Sequence, residues 1–209
     1  MSEPRRPSSD VAFTDTVKAI QARKGSRHGY AAMEARGGWQ TTVTPELAAL
    51  IASLRSVFLA TANAGGQPYV QHRGGPPGFL RVLGPRRLGF ADFRGNRQFI
   101  SQGNLAENPR AFLFLIDYAT QQRVKLWGRA RVVEDDPELV AALMPEGYDA
   151  RPEQAVIFEV EAWDANCRQH IPQRFEADDV ARALAERDAR IAALEAEVAA
   201  LRTANAAAR

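Results

Sequence analysis

The chain has 209 residues, 45% hydrophobic and 25% charged, with a net charge of +2, an ordinary globular composition that supports one core with appendages and excludes a disordered or fibrous chain. A single cysteine, Cys167, excludes a disulfide framework within the chain. No run of about 18 apolar residues offers a membrane span, and Met1 to Asp10 lacks the apolar stretch of a signal peptide, so the expectation is a cytoplasmic protein with no membrane partner.

The chain opens with a helix expected over Asp10–Lys24, capped by Asp10 and stopped by Gly25, followed by a connection with a short helix near Tyr30–Arg36. Thr44-Pro45-Glu46 is a helix-start signal, and Leu47, Leu50, Ile51 and Leu54 form one apolar face, which predicts a helix over Pro45–Arg55. From Val57 the pattern turns to strands. Val57–Thr61 and Pro68–Arg73 flank the turn Asn63–Gly66; Phe79–Leu83 and Leu88–Phe93 flank Gly84–Arg87. A helical crossover is expected over Arg97–Glu107, ended by Asn108-Pro109. Ala111–Tyr118 and Gln122–Glu134 form a long hairpin, Pro137–Leu143 a short helix capped by Asp136, and Gln154–Trp163 the last long strand.

Six or so strands in hairpins with one crossover helix predict a mainly β (α+β) fold, a closed antiparallel barrel rather than a parallel sheet. Phe112–Ile116 is apolar at every position, so one of its faces fills the barrel while the other meets helices or another subunit. The expected organisation is an N-terminal helical extension (1–56), the barrel (57–175) and a C-terminal helix (176–209). In that helix Leu184, Arg187, Ile191, Leu194, Val198, Leu201 and Asn205 recur at alternating spacings of three and four, an a/d seam that reads as a coiled-coil-like element or as an amphipathic helix lying on its own barrel.

Charge is unevenly spread: Arg73–Arg131 holds 11 Arg and Lys against 3 Asp and Glu, and Val132–Asp179 holds 3 against 13. The basic middle suits an anionic ligand such as a phosphate, or nucleic acid, unless the acidic segment neutralises it across the fold or a dimer. His28, His72 and His170 lie far apart with no metal-ligand spacing, and Cys167 with His170 has nothing that marks an activated nucleophile. There is no Walker A sequence and no G-x-G-x-x-G after a strand. The more informative feature is Asn96-Arg97-Gln98, which follows a strand and opens the expected helix: free amides, a capping Asn96 and the forked cation of Arg97 make a phosphate site. Gln71 and Arg73 share one face of their strand with His72 on the other, and Arg123 and Lys125 share a face of theirs. These basic groups read either as a shared anion site or as solvated strand charges.

Phe58-Leu-Ala-Thr61, Gly66-Gln-Pro-Tyr-Val70, Leu88-Gly-Phe-Ala-Asp92, Gly95-Asn-Arg97, Asn104-Leu-Ala-Glu-Asn-Pro109 and Val124-Lys-Leu-Trp-Gly-Arg-Ala130 stand in the order seen in the pyridoxamine 5′-phosphate oxidase-like flavoproteins. The chain resembles that family from about Val57 to Ile171. The resemblance implies a six-stranded split barrel and a homodimer with two FMN molecules at its interface. It implies that Gln71, His72 and Arg73 meet the FMN phosphate and ring, that Phe90, Ala91 and Asp92 pass beside the flavin, and that Asn96, Arg97 and Gln98 form the phosphate-binding helix start. Gln98 stands where the family often has lysine. Arg123, with Lys125 on the same face, matches a position that often reaches the flavin, and Trp163, Arg168 and His170 resemble the late segment that completes the site from the partner. Spacing there differs from the vitamin B6 oxidases, which points away from pyridoxamine 5′-phosphate as substrate.

Four readings follow. The first is an FMN-dependent oxidoreductase acting with a nicotinamide nucleotide or a small-molecule substrate, with no acid or base marked unless His72 or His170 lies near the flavin N5. The others are a non-catalytic flavin carrier or sensor, a split barrel holding haem or a deazaflavin, and, last, a nucleic-acid binder, which lacks aromatic-basic alternation on a strand face.

Overall fold

The computed structural model describes residues 6–166 and 168–208; Cys167 lies outside them. Two units are present. One runs to Asp117 and resumes over Gln122–Gln169; the other comprises Tyr118–Gln121 and the chain from His170 onward.

The first unit is built on one antiparallel sheet of seven strands: β1 (Ser56–Ala62), β2 (Pro68–Gly74), β3 (Arg81–Gly84), β4 (Arg87–Phe93), β5 (Arg110–Asp117), β6 (Gln122–Val133) and β7 (Pro152–Asn166). Their order is β2-β1-β5-β6-β7-β4-β3. The expected closed barrel of six strands is corrected on two points. The described residues form seven strands, and the sheet is not closed, because β2 and β3 remain as its two edges. The chain leaves β2 through Gly75-Pro76-Pro77-Gly78, where two prolines offer no N–H to continue a ladder. Phe79 and Leu80, expected in a strand, instead plug the core at 1% exposure each.

Alternation places Val57 and Leu59 of β1, Leu113 and Leu115 of β5, Val124 and Leu126 of β6, and Val156 and Phe158 of β7 inside. Five helices accompany the sheet: α1 (Asp15–Lys24), α2 (Arg27–Glu34), α3 (Pro45–Ser53), α4 (Ile100–Glu107) and α5 (Pro137–Leu143). Helix α3 begins where Thr44-Pro45 predicts, with the Thr44 hydroxyl accepting from Leu47 N–H, and it seats Leu47 and Ile51 in the core. Helix α5 starts on Asp136, whose carboxylate accepts from Leu139 N–H, and covers Ala91, Ala155 and Ile157 on the far side of β4 and β7.

Helix α1 starts later than expected. A 3₁₀ turn takes up Ser8–Val11, Thr14 accepts from Val17 N–H as the cap, and Asp10 pairs with Lys18 instead. Gly25 closes α1 with φ of 81°, as expected for a helix-ending glycine. The short second helix spans Arg27–Glu34 rather than Tyr30–Arg36, held by the Arg27–Glu34 ion pair.

The second unit carries α6 (Ala177–Ala207). Its start is tied to the turn after β5: the Arg174 guanidinium lies 4.8 Å from the Tyr118 ring centre, and Gln121 Nε2 donates to Ile171 O at 2.6 Å. Among the described residues no helix is long and apolar enough to cross a membrane.

The β6–β7 ladder contains a bulge. Trp127 pairs with Ala162 and Gly128 with Val160, so β7 spends one extra residue, Glu161. Gly128 permits the close approach that follows: a Cβ there would stand 2.1 Å from Glu159 O and 2.8 Å from the Phe158 ring. Gly128→Ala is therefore expected to destabilise the protein by roughly 1–3 kcal/mol, the cost of forced overpacking, read as a lowered urea midpoint; an unchanged midpoint would show that the strands give way freely.

Candidate functional site

Because the sheet does not close, its two ends face each other across a split. Arg73 on β2 and Asp92 on β4 bridge that split: Arg73 Nη1 donates to Asp92 Oδ1 at 2.6 Å, and both side chains are mostly buried. Gln154 of β7 donates to the other Asp92 oxygen at 2.9 Å. Asp92 thus accepts on both oxygens, while Arg73 Nε is buried without a hydrogen-bond partner among the described residues, an orphan donor that ordinarily costs roughly 1–3 kcal/mol.

A cavity of about 50 Å³ opens at this point. Tyr69, Gln71 and Arg73 enter from β2, Asp92 and Phe93 from β4, Glu153 and Gln154 from β7, and Gly95 to Gln102 from the segment into α4. The expected helix start at Arg97 is corrected here: α4 begins at Ile100, and Phe99, in a left-handed conformation, occupies the cap position with no side-chain hydrogen bond. Asn96 does not cap the helix. Its side-chain oxygen accepts from Gln98 N–H at 3.2 Å, a local turn. Arg97 and Phe99 have φ of 59° and 54°, a conformation costing roughly 1–3 kcal/mol each for residues with a Cβ. This doubly strained segment holds the Arg97 guanidinium 5.4 Å from the Phe99 ring centre and 3.5 Å from Glu153, with Arg94 3.8 Å from the same carboxylate.

Helix α4 is pinned under the cavity. Ser101 Oγ donates to Gln71 Oε1 at 3.1 Å, and Asn104 Nδ2 donates to Thr61 Oγ1 at 3.0 Å. Its first-turn amides have no intrahelical acceptor, and Ile100, Ser101 and Gln102 line the cavity. The charged lining is balanced, with Arg73 and Arg97 against Asp92 and Glu153. The two acids differ in hold. Asp92 is clamped twice at short distance, whereas Glu153 meets its arginines at 3.5 and 3.8 Å with half-exposed guanidinium groups, a pairing worth under about 1 kcal/mol.

Of the residues proposed from sequence, the cavity gathers Gln71, Arg73, Asp92, Asn96, Arg97 and Gln98. The others stand elsewhere. His72 points to the outer face against the Phe58 ring, at 5.8 Å. Phe90 is buried in the core beside Phe79, and Ala91 is buried under α5. Arg123 and Lys125 lie on β6, where Lys125 is 3.5 Å from Asp164 and 5.3 Å from the Trp127 ring centre. Trp163 donates its indole N–H to Thr42 O at 2.7 Å, fastening the N-terminal segment to β7. Arg168 follows β7 and is exposed; His170 lies in the second unit with φ of 64°. Sequence reasoning missed Tyr69, Ser101, Glu153 and Gln154. Strand alternation from Gln71 and Arg73 reaches Tyr69, but the β7 pair carries no local signal.

The sequence model of the pyridoxamine 5′-phosphate oxidase family matches residues 43–167, more than half of the chain. The chain belongs to that family. Among solved structures, HupZ of Group A Streptococcus is similar at a TM-score of 0.50 and 17% identity, over 64% of this chain and 99% of that one. An FMN-binding protein from Syntrophomonas wolfei is similar at 0.48 and 11% identity (70% and 97% covered), and HutZ, the haem storage protein from Vibrio cholerae, at 0.44 and 20% (58% and 93%). No curated protein matches the chain in sequence.

Asp92→Asn keeps the shape of the side chain and removes the charge opposite Arg73. The expected loss is about 1.5–3 kcal/mol, as for a hydrogen bond to a charged group in a mostly buried pair, against under about 1 kcal/mol for Glu159→Gln in the exposed Arg87–Glu159 pair. Urea denaturation of both variants checks the ordering; equal losses would demote the Arg73–Asp92 bridge.

Proposed function

We propose that this member of the family binds FMN, with the phosphate at the split between the sheet ends, and acts as an FMN-dependent oxidoreductase. The observation that carries the reading is a cavity lined by two arginines, Arg73 and Arg97, and by Ile100, Ser101 and Gln102 of the first turn of α4. A phosphate supplies acceptors for cationic side chains and helix-start amides arranged in this way. The fit extends to size: about 50 Å³ holds a few waters or one phosphate group, far below the roughly 300–1,000 Å³ of a whole small-molecule site.

In this reading each residue has a separate task. Asp92, with Gln154 behind it, fixes the Arg73 side chain at the cavity wall. Arg97 exchanges its loose contact with Glu153 for the phosphate. Ser101 holds the Gln71 carboxamide in place, and the strained turn from Asn96 to Phe99 sets the position of Arg97 before the ligand arrives. The flavin, when bound, supplies the hydride chemistry.

The rest of the cofactor then needs further walls, and a second copy provides them. The outer face of β2-β1-β5 carries Phe58, Phe114 and Ile116 partly exposed in one chain, with Val70 58% exposed. A homodimer buries that face. Arg123 and Lys125 stand on β6 in the same half of the sheet, and in this reading they reach the flavin held by the other subunit, with Trp163 and Arg168 as its later border.

Purified protein is expected to be yellow and to release FMN on heating. Colourless protein that leaves added FMN fluorescence unquenched, or protein with a haem Soret band, would overturn the reading. Anaerobic NADH or NADPH is expected to bleach the bound flavin; a flavin that never bleaches with either would reduce the protein to a carrier. Arg97→Ala is expected to weaken FMN binding by about 1.5–3 kcal/mol without shifting the urea midpoint, since the side chain is half-exposed. Unchanged affinity would remove Arg97 from the site.

A further inference from the structure

We propose that α6 pairs with α6 of a second copy, parallel and in register, as a two-stranded coiled coil. The helix spans 31 residues, about 46 Å at 1.5 Å per residue, and every one of its residues is exposed. A single helix in water gains nothing from an apolar stripe, yet Leu184, Ile191 and Leu201 are 52%, 51% and 58% exposed along one line.

The heptad phase of that line is fixed by its spacing. Leu184, Ile191, Val198 and Asn205 fall at a; Val180, Arg187, Leu194 and Leu201 fall at d. Branched Ile and Val at a with Leu at d favour two strands, and one asparagine at a favours pairing with its own copy in register. The flanking charges decide the direction. In a parallel pair each g position faces the e position five residues on in the other helix. Arg190 then faces Glu195 of the second copy, and Glu197 faces its Arg202, so both charged pairings attract and each occurs twice. An antiparallel pair keeps only Arg190 against Glu197. It sets Asp188 beside Glu195 and places Asn205 and Arg187 opposite Val180 and Val198, stranding two polar groups on apolar partners. The parallel arrangement brings the two Arg187 residues into one layer, but their long stems reach past the seam and Asp188 of the other helix flanks each of them.

Cysteine cross-linking in the full-length chain tests both pairing and direction. In a Cys167→Ser background, oxidised Leu201→Cys is expected to join to itself nearly completely, and a mixture of Leu184→Cys with Leu201→Cys is expected to give no 184–201 product. Dominant 184–201 product would make the pair antiparallel, and no product at either position would leave α6 unpaired; either overturns the proposal. Charge exchange provides a readout free of Cys167. Arg190→Glu alone and Glu195→Arg alone each oppose like charges across the parallel seam and are expected to lower α6 pairing several-fold, while mixing the two restores it. Failure of the mixture to restore pairing would also overturn the proposal.

Discussion

The ion pair of Arg73 with Asp92 holds together what the backbone leaves apart. Seven strands in an open sheet have two edges, β2 and β3, and nothing in the ladder joins them. Asp92 sits on β4, next to the β3 edge, and Arg73 sits on the β2 edge itself, so one charge-assisted hydrogen bond of 2.6 Å spans the split. A backbone ladder at that point would have filled the space with N–H and C=O groups that satisfy one another. Long side chains leave a gap with donors still to satisfy, and the cavity is that gap. The fold and the site therefore share a cause: the opening that makes the barrel split is also the place where it presents unspent polar groups.

The architecture was largely legible in the residues because its signals are local. Thr44-Pro45 and Asp136-Pro137 mark the starts of α3 and α5, and each proves to be a side-chain cap on the third amide of its helix. Strand alternation put Gln71 and Arg73 on one face and His72 on the other, as found. The site was legible only in part, for two physical reasons. The segment into α4 takes left-handed conformations at Arg97 and Phe99, which no propensity assigns to such residues, so a helix read from Arg97 begins three residues late. Glu153 and Gln154 arrive from β7, about 60 residues after Asp92, through a ladder whose register shifts between Asp92 and Phe93; that partnership belongs to tertiary structure alone.

Aromatic packing explains how the N-terminal segment, outside the barrel in sequence, becomes part of its surface. Trp39 stacks on Trp127 with ring centres 4.5 Å apart, Phe13 meets Trp39 edge-on at 4.9 Å, and Phe112 meets Trp127 at 5.1 Å. Such pairs add about 0.5–1.5 kcal/mol each beyond their buried area. They cover the β6 end of the outer face, and the Gln40–Trp163 bridge with the Trp163–Thr42 hydrogen bond fixes the segment beside them. The β1, β2 and β5 part of the same face, with Phe58, Phe114 and Val70, receives no such cover. The N-terminal segment thus leaves uncovered, among the described residues, the part of this face nearest the split.

In the two proposals, the sheet face and the α6 seam are both self-complementary surfaces. The two differ in what sets their specificity. The sheet face is broad and apolar, and shape decides what fits it. The α6 seam is narrow and rich in alanine, so its direction rests on Arg190, Glu195, Glu197 and Arg202 and its register on Asn205. Surface charge pairs of this kind are weak one by one, yet all four cross-helix pairs change from attractive to mixed when the direction is reversed. Direction is therefore set by their difference rather than by their strength, and the apolar layers between them supply the binding that both directions would share.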